Sequence, residues 1–271
     1  SKEEMEILSE EKGFNDPLPV QYVRFLKGAL VGDFGTSYYY NEPAMSVVLE
    51  RAPATLTLAC AALLISVVLG IPAGIVAAVK RNSVSDAVIR VLALLGQCMP
   101  AFWLGIMLIM LFAVKLGWMP TGGAEDGLRS LILPAFTLGV FSAATICRLL
   151  RSNLIEVLGK EYIDVAKAKG LPKSKIIGKH ALKNAMSSII TILGMNMASL
   201  VCGSFIIESV FGWPGVGSFA MEAIGKRDYP VIMAYIMLSG FILVVGNFVA
   251  DILYSFADPR IKRGIDIANG K

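Results

Sequence analysis

The sequence predicts an all-α fold, a polytopic helical membrane bundle, and three observations carry that reading. The chain of 271 residues is 55% hydrophobic and only 17% charged, with a mean hydropathy of +0.66, where a soluble domain carries about a quarter charged residues. Its 25 basic and 21 acidic residues are segregated and leave five intervals without any charge: 52–79, 91–114, 130–147, 184–207 and 229–250. Strand-like alternation is absent from these intervals, which leaves the helix as the structure that satisfies every backbone group inside a bilayer.

The first 51 residues come before any span. Nine acids and four bases lie between Ser1 and Glu50, and Val20, Val23, Leu26 and Leu30 recur at three- and four-residue steps, so an amphipathic helix is expected there. At about 1.5 Å per residue, the intervals of 18 to 28 residues cross or nearly cross a hydrocarbon layer of about 30 Å. Alternate sides of these spans collect 16 and 9 of the 25 Lys and Arg residues. The richer side is expected to be cytoplasmic. Residues 1–51 are then extracytoplasmic, and the loop 148–183 and the tail 264–271 are cytoplasmic. An exported polar N-terminus needs an element to translocate it, which predicts a further span upstream of Ser1.

Within the spans, Pro72, Pro100 and Pro134 can kink helices, and Gly70, Gly74, Gly96 and Gly105 permit close packing. A translocation pathway must be lined by groups that tolerate water. Gln97 and Asn196 are the first candidates, because a buried carboxamide has four hydrogen-bonding sites to satisfy. Thr145 and Ser199 follow, although hydroxyls in membrane helices also serve packing and bond back to carbonyls.

The loop 148–183 is far longer than the usual connector of about 2 to 8 residues. Helix formers dominate from Asn153 to Lys169, with Leu154, Val157, Leu158, Ile163 and Ala166 at helical spacing. Gly170 can take the left-handed conformation that ends a helix, and Leu171-Pro172 follows it. A second helical stretch, from Ser174 through His180 to Asn184, leads back to the membrane. The loop's nine bases against Glu156, Glu161 and Asp164 give it a net charge of +6, which would also attract anionic lipid. After the fourth span, Glu208-Ser-Val-Phe-Gly-Trp-Pro-Gly-Val-Gly217 predicts a short re-entrant or interfacial hairpin with Phe211 and Trp213 at headgroup depth.

Several enzyme classes are excluded. Cys60, Cys98, Cys147 and Cys202 show no CxxC spacing, and His180 is the single histidine, so no zinc site and no paired-histidine metal site is available. No GxxxxGK[ST] occurs, so the chain cannot supply an ATP-binding loop of its own. We assign no catalytic residue, no metal ligand and no cofactor to this chain. An ion-coupled secondary transporter normally carries an intramembrane acid or base, and the five intervals contain none.

The loop also carries a family resemblance. Asp164-Val-Ala166-Lys-Ala-Lys-Gly170, followed after nine residues by His180-Ala-Leu182-Lys183-Asn184, resembles the EAA-x3-G-x9-I-x-L-P segment of ABC importer membrane subunits. It departs from the general consensus at Asp164, Val165, His180 and Lys183, yet it keeps the form written by the peptide and nickel branch. Asp16-Pro-Leu-Pro-Val-Gln-Tyr22, Gly32-Asp-Phe-Gly-Thr-Ser37, Arg51-Ala-Pro-Ala-Thr-Leu56, Met99-Pro-Ala-Phe102, Leu133-Pro134, Glu208 to Gly217, Arg227-Asp228-Tyr-Pro230 and Asp258-Pro-Arg260 resemble, in order, the first permease subunit of dipeptide, oligopeptide and nickel import systems.

The resemblance implies a type I ABC importer transmembrane domain for dipeptides or oligopeptides, with nickel or a metal chelate as the alternative cargo. It implies a coupling helix on which Asp164, Ala166, Lys167, Ala168 and Gly170 meet a cytoplasmic ATPase. It also implies an outer gate near Glu208, Phe211 and Trp213. The implied partners are a second homologous permease subunit, two ATPase subunits that bind ATP and Mg, an extracytoplasmic solute-binding protein and membrane lipid, with no nucleic acid.

Overall fold

The computed structural model describes residues 15–257. Among them the chain is helical, with one isolated bridge between Thr36 and Pro43 as its only extended pairing. Pro17, Pro43 and Pro100 stand immediately before helices α1 (Leu18–Leu30), α2 (Ala44–Val79) and α4 (Ala101–Leu108), positions where a fixed φ is already compatible with helix entry. Ser83 caps α3 (Val84–Cys98) by accepting from the Asp86 amide at 3.3 Å. The remaining elements are α5 (Leu128–Leu158), α6 (Glu161–Ala168), α7 (Lys173–Ala185), α8 (Ser187–Gly203), α9 (Phe205–Val210), α10 (Val216–Lys226) and α11 (Tyr229–Ala257).

Among the described residues, three helices are long and apolar enough to cross a membrane, and five spans result if each of two bent pairs counts as one. The charge-free intervals locate these helices but not their limits. α2 begins at Ala44 and carries Glu50 and Arg51 within it, because charged residues leave a bilayer without ending a helix. The interval 91–114 is not one straight span. It is split at Met99-Pro100, and α3 meets the helix Ala101–Lys115, whose second half is a π-helix over Ile109–Lys115, at 104°. Proline pushes the preceding residue out of the helical region, and Met99 accordingly has ψ 136°.

The expected helix from Asn153 to Lys169 is also two helices. α5 runs on to Leu158, and after Gly159 and Lys160 the separate α6 begins. Asp258-Pro-Arg260 and the tail 264–271 lie outside the described residues, as do residues 1–14.

Backbone-to-backbone proximity holds the central pair together. A Cβ on Gly70 of α2 would stand 2.7 Å from the carbonyl oxygen of Ala143 in α5, and one on Gly139 would stand 2.8 Å from that of Ala62. Small residues are what allow membrane helices to approach this closely. α8 and α11 meet in the same way, with Gly194 against Ala250 and Gly246 against Ala198. One apolar core gathers Ile146, Leu150, Leu154 and Val157 of α5 with Ile163 and Ala166 of α6 and Ile176 and Ala181 of α7. A second lies towards the opposite end, where Leu58 and Ala62 of α2 and Leu133 of α5 enclose Phe211 and Trp213. Phe241, Val244 and Phe248 of α11 are about two-thirds exposed, at 65%, 69% and 64%, as befits a face turned to lipid or to another membrane helix.

Candidate functional site

The first site is the short helix α6 with its return. Ile163 and Ala166 sit three residues apart on one face and are buried in the core with Ile176 and Ala181. Asp164, Lys167, Ala168 and Gly170 are exposed, and Lys167 donates to Asp164 at 2.8 Å. Ala166 was expected on the surface with them; instead it is 7% exposed and roots the helix. Val165, apolar and 54% exposed, belongs to the outward face and was missed, although its place one residue from the buried Ala166 signals it.

Gly170 ends the helix at φ +72°. Its N–H donates to the Lys167 carbonyl at 2.9 Å, and the Leu171 N–H donates to Ala166 at 3.3 Å. This is the Schellman pattern, in which a left-handed residue, usually glycine, satisfies the last carbonyls. Tyr162 accepts from Asn184 Nδ2 at 2.8 Å, so the two halves of the loop motif are also tied by side chains.

The second site is the hairpin α9–α10 at the other end of α2. The Glu208 carboxylate is fully buried and accepts four hydrogen bonds. Two come from hydroxyls, Thr55 at 2.8 Å and Ser204 at 2.7 Å, and two from the backbone N–H groups of Gly217 at 2.7 Å and Ser218 at 3.0 Å. Thr55 Oγ1 in turn accepts from the Val216 N–H at 2.8 Å. The first three N–H groups of α10, which no intrahelical partner can satisfy, are therefore capped by residues of α2 and α9. The negative charge also lies where the helix dipole favours it. A Cβ on Gly215 or Gly217 would overlap that carboxylate, which explains the glycines in this motif.

Phe211 and Trp213, expected at headgroup depth, are 2% and 6% exposed and packed among α2 and α5 residues. Trp213 Nε1 donates to the Ala54 carbonyl at 2.9 Å, so its polar edge finds a partner inside the protein. A cavity of about 390 Å³ beside the hairpin is lined by Arg51, Trp213, Phe219 and Glu222 among others.

The four pathway candidates divide in two. Gln97 donates to Thr145 Oγ1 at 2.9 Å, joining α3 to α5. Asn196 and Ser199 lie one turn apart on α8, and Asn196 Nδ2 is buried with no hydrogen-bond partner among the described residues. Among those residues no three His, Cys, Asp or Glu side chains converge as a metal site. A further joint links segments far apart in the sequence: the Asp228 carboxylate accepts from Ser37 Oγ at 2.5 Å, so the motif Gly32–Ser37 is seated on Arg227–Pro230.

A bundle of membrane helices with bent spans and an exposed short helix on a basic loop is the architecture of an importer's membrane domain, and comparison with known proteins agrees. The chain belongs to the family described as binding-protein-dependent transport system inner membrane component, whose model matches residues 70–263. It is 40% identical over 272 aligned positions, covering 97% of this chain and 86% of its relative, to the oligopeptide transport system permease protein AppB of Bacillus subtilis (strain 168). It is 38% identical over 258 positions, covering 95% and 84%, to the glutathione transport system permease protein GsiC of Escherichia coli (strain K12). Its fold is similar to that of a chain of the MetNI methionine ABC transporter in an inward-facing conformation, with a TM-score of 0.67 at 19% identity, over 79% of this chain and 97% of that one.

Proposed function

We propose that this chain is a permease subunit of an ATP-driven peptide importer, forming with a second homologous permease the pathway for dipeptides or oligopeptides delivered by an extracytoplasmic solute-binding protein. The observation that carries the mechanism is α6. It is a two-turn helix rooted by Ile163 and Ala166, ended by Gly170, and otherwise presented outward. A helix held in this way can pass on a rigid-body push, whereas an unstructured loop would absorb it. Asp164, Val165, Lys167, Ala168 and Gly170 meet a cytoplasmic ATPase, and two such ATPase subunits bind ATP and Mg. The peptide cargo is supported by the names of the relatives, which transport oligopeptides and glutathione.

The distribution of Lys and Arg puts the loop 148–183 and the C-terminus in the cytoplasm and residues 1–51 outside. In that orientation the hairpin held by Glu208, Phe211 and Trp213 lies at the outer gate. Gln97, Thr145, Asn196 and Ser199 face the pathway.

The test is Gly170→Trp in complexes reconstituted with the cognate ATPases and binding protein. No atom lies within 4 Å of a Cβ at Gly170, so the ring meets no neighbour and projects into the docking surface, and the strain of a side chain at φ +72° falls on the end of α6, outside the spans. Peptide uptake and its stimulation of ATP hydrolysis are expected to be lost while the subunit still inserts. Unchanged stimulation, or uptake driven by an ion gradient alone, would overturn the proposal.

A further inference from the structure

The strongest polar joint on the loop side of the bundle is one the transport reading leaves unused. Asp86, in the first turn of α3, has a fully buried carboxylate. Arg151 of α5 grips it with two parallel bonds, Nε to Oδ1 at 2.7 Å and Nη2 to Oδ2 at 2.8 Å. The Asn82 N–H donates to Oδ2 at 3.0 Å, and Arg90 Nε approaches Oδ1 at 3.4 Å. Eleven residues further along α3, Gln97 bonds Thr145 of α5. Beside Gln97, Gly96 admits Val140, whose Cγ1 would lie 3.3 Å from a Cβ there. α3 is therefore fixed to α5 at both of its ends, and at the loop end by a planar fork that resists rotation as well as separation.

The position of this joint gives it a purpose. Arg151 lies two turns before the end of α5, and α6 follows after Gly159 and Lys160. At its far end α3 stops at Met99-Pro100, where the chain turns through 104° into the helix Ala101–Lys115. We propose that Asp86 and Arg151 are positioning residues that make α3 and α5 a single lever, so that a displacement of α6 reaches the bend at Met99-Pro100. This inference rests on α6 being the docking helix of the proposed importer. The pair acts through the helices it joins and touches neither peptide nor nucleotide.

Arg151→Lys tests it, because lysine keeps the charge opposite Asp86 but gives up the two-point grip. In proteoliposomes with cognate ATPases and binding protein, peptide uptake and ATP hydrolysis are measured on the same sample. Hydrolysis within about twofold of the parent is expected, with at least a roughly tenfold fall in peptide moved per ATP. A structural role alone would lower both rates together and leave their ratio unchanged, and that result overturns the proposal.

A second variant covers the case in which Arg151→Lys fails to assemble. With Cys60, Cys98, Cys147 and Cys202 replaced by serine, Asp86→Cys/Arg151→Cys joined by a short bifunctional maleimide restores the ratio relative to the uncrosslinked sample. A crosslinked sample no better coupled than the uncrosslinked one counts against the lever. Gly170→Trp run in parallel separates the two failures. If it leaves coupling intact, the docking reading falls. If it uncouples while Arg151→Lys does not, only the lever falls.

Discussion

Thr55→Val isolates the joint that holds the α9–α10 hairpin to α2. The two side chains are nearly the same size and shape, so the fully buried site keeps its packing and loses one hydroxyl. That hydroxyl donates to Glu208 at 2.8 Å and accepts from the Val216 N–H at 2.8 Å. A hydrogen bond to a charged group contributes about 1.5–3 kcal/mol, and a buried N–H left without an acceptor costs about 1–3 kcal/mol. Because the carboxylate keeps three other donors and can relax towards them, we expect a net loss of about 3 kcal/mol. That corresponds to an increase of about 100-fold in the local opening of the hairpin. Hydrogen exchange at the Val216, Gly217 and Ser218 amides in detergent or nanodiscs reads this directly, with Thr55→Ser as the control that retains the hydroxyl. If the valine variant protects those amides as well as the parent does, Thr55 is not holding the start of α10, and the account of this joint is wrong.

Ala166→Glu and Val165→Glu, one residue apart, should part company. The first places a carboxylate in the apolar core under α6 and is expected to destabilise the loop by several kcal/mol, seen as loss of protection from protease between Arg148 and Lys183. The second points outward, should leave that protection unchanged, and should weaken association with the ATPase in a pull-down; equal effects at the two positions would contradict the assigned faces. Asn196→Leu removes an amide whose Nδ2 is buried with no partner among the described residues, and a buried group left unpaired costs about 1–3 kcal/mol. Its thermal stability should therefore hold or rise while peptide uptake falls, and a variant that transports normally would remove Asn196 from the pathway.

The parts of this fold legible in the sequence are those set by local chemistry or by the bilayer. Charge exclusion locates all five apolar segments, Pro100 marks the bend, and Gly170-Leu171-Pro172 marks the end of α6. The illegible parts depend on partners distant in the chain. An acid at Glu208 reads as the watery end of a span, because an unpaired carboxylate is not tolerated in an apolar interior. Its acceptance into the core rests on Thr55, 153 residues earlier, and on backbone amides exposed only once α10 exists. Asp86 has no local feature in the sequence that signals its pairing with Arg151, 65 residues away. Ala166 is different. Its spacing from Ile163 was available and marks it as inward, but a motif read as a contact surface drew it outward.

The motifs that resemble an importer subunit meet in pairs, and this bears on how such a membrane domain moves. The segment Arg51–Leu56 supplies Thr55 and the Ala54 carbonyl to the segment Glu208–Gly217, and Gly32–Ser37 supplies Ser37 to Arg227–Pro230. These contacts bind the hairpin to α2 and the N-terminal segment to the start of α11. Together with Asp86–Arg151 and the glycine contacts of α2 with α5, they make stiff units out of helices that loops alone would leave loose. α8 is held otherwise. Among the described residues no hydrogen bond joins it to α2 or α5, and it is held to α11 by the close contacts of Gly194 and Gly246 and by the Cys202 Sγ–H, which donates to the Ser239 carbonyl at 3.3 Å. Dispersion between apolar side chains is lost gradually as surfaces slide, whereas a buried polar bond must break outright. The least costly displacement in the bundle therefore runs along the faces that α8 turns to α2 and α5, where Ile189 and Leu200 pack through apolar contacts; α8 is the helix that continues the loop from α6 and carries Asn196.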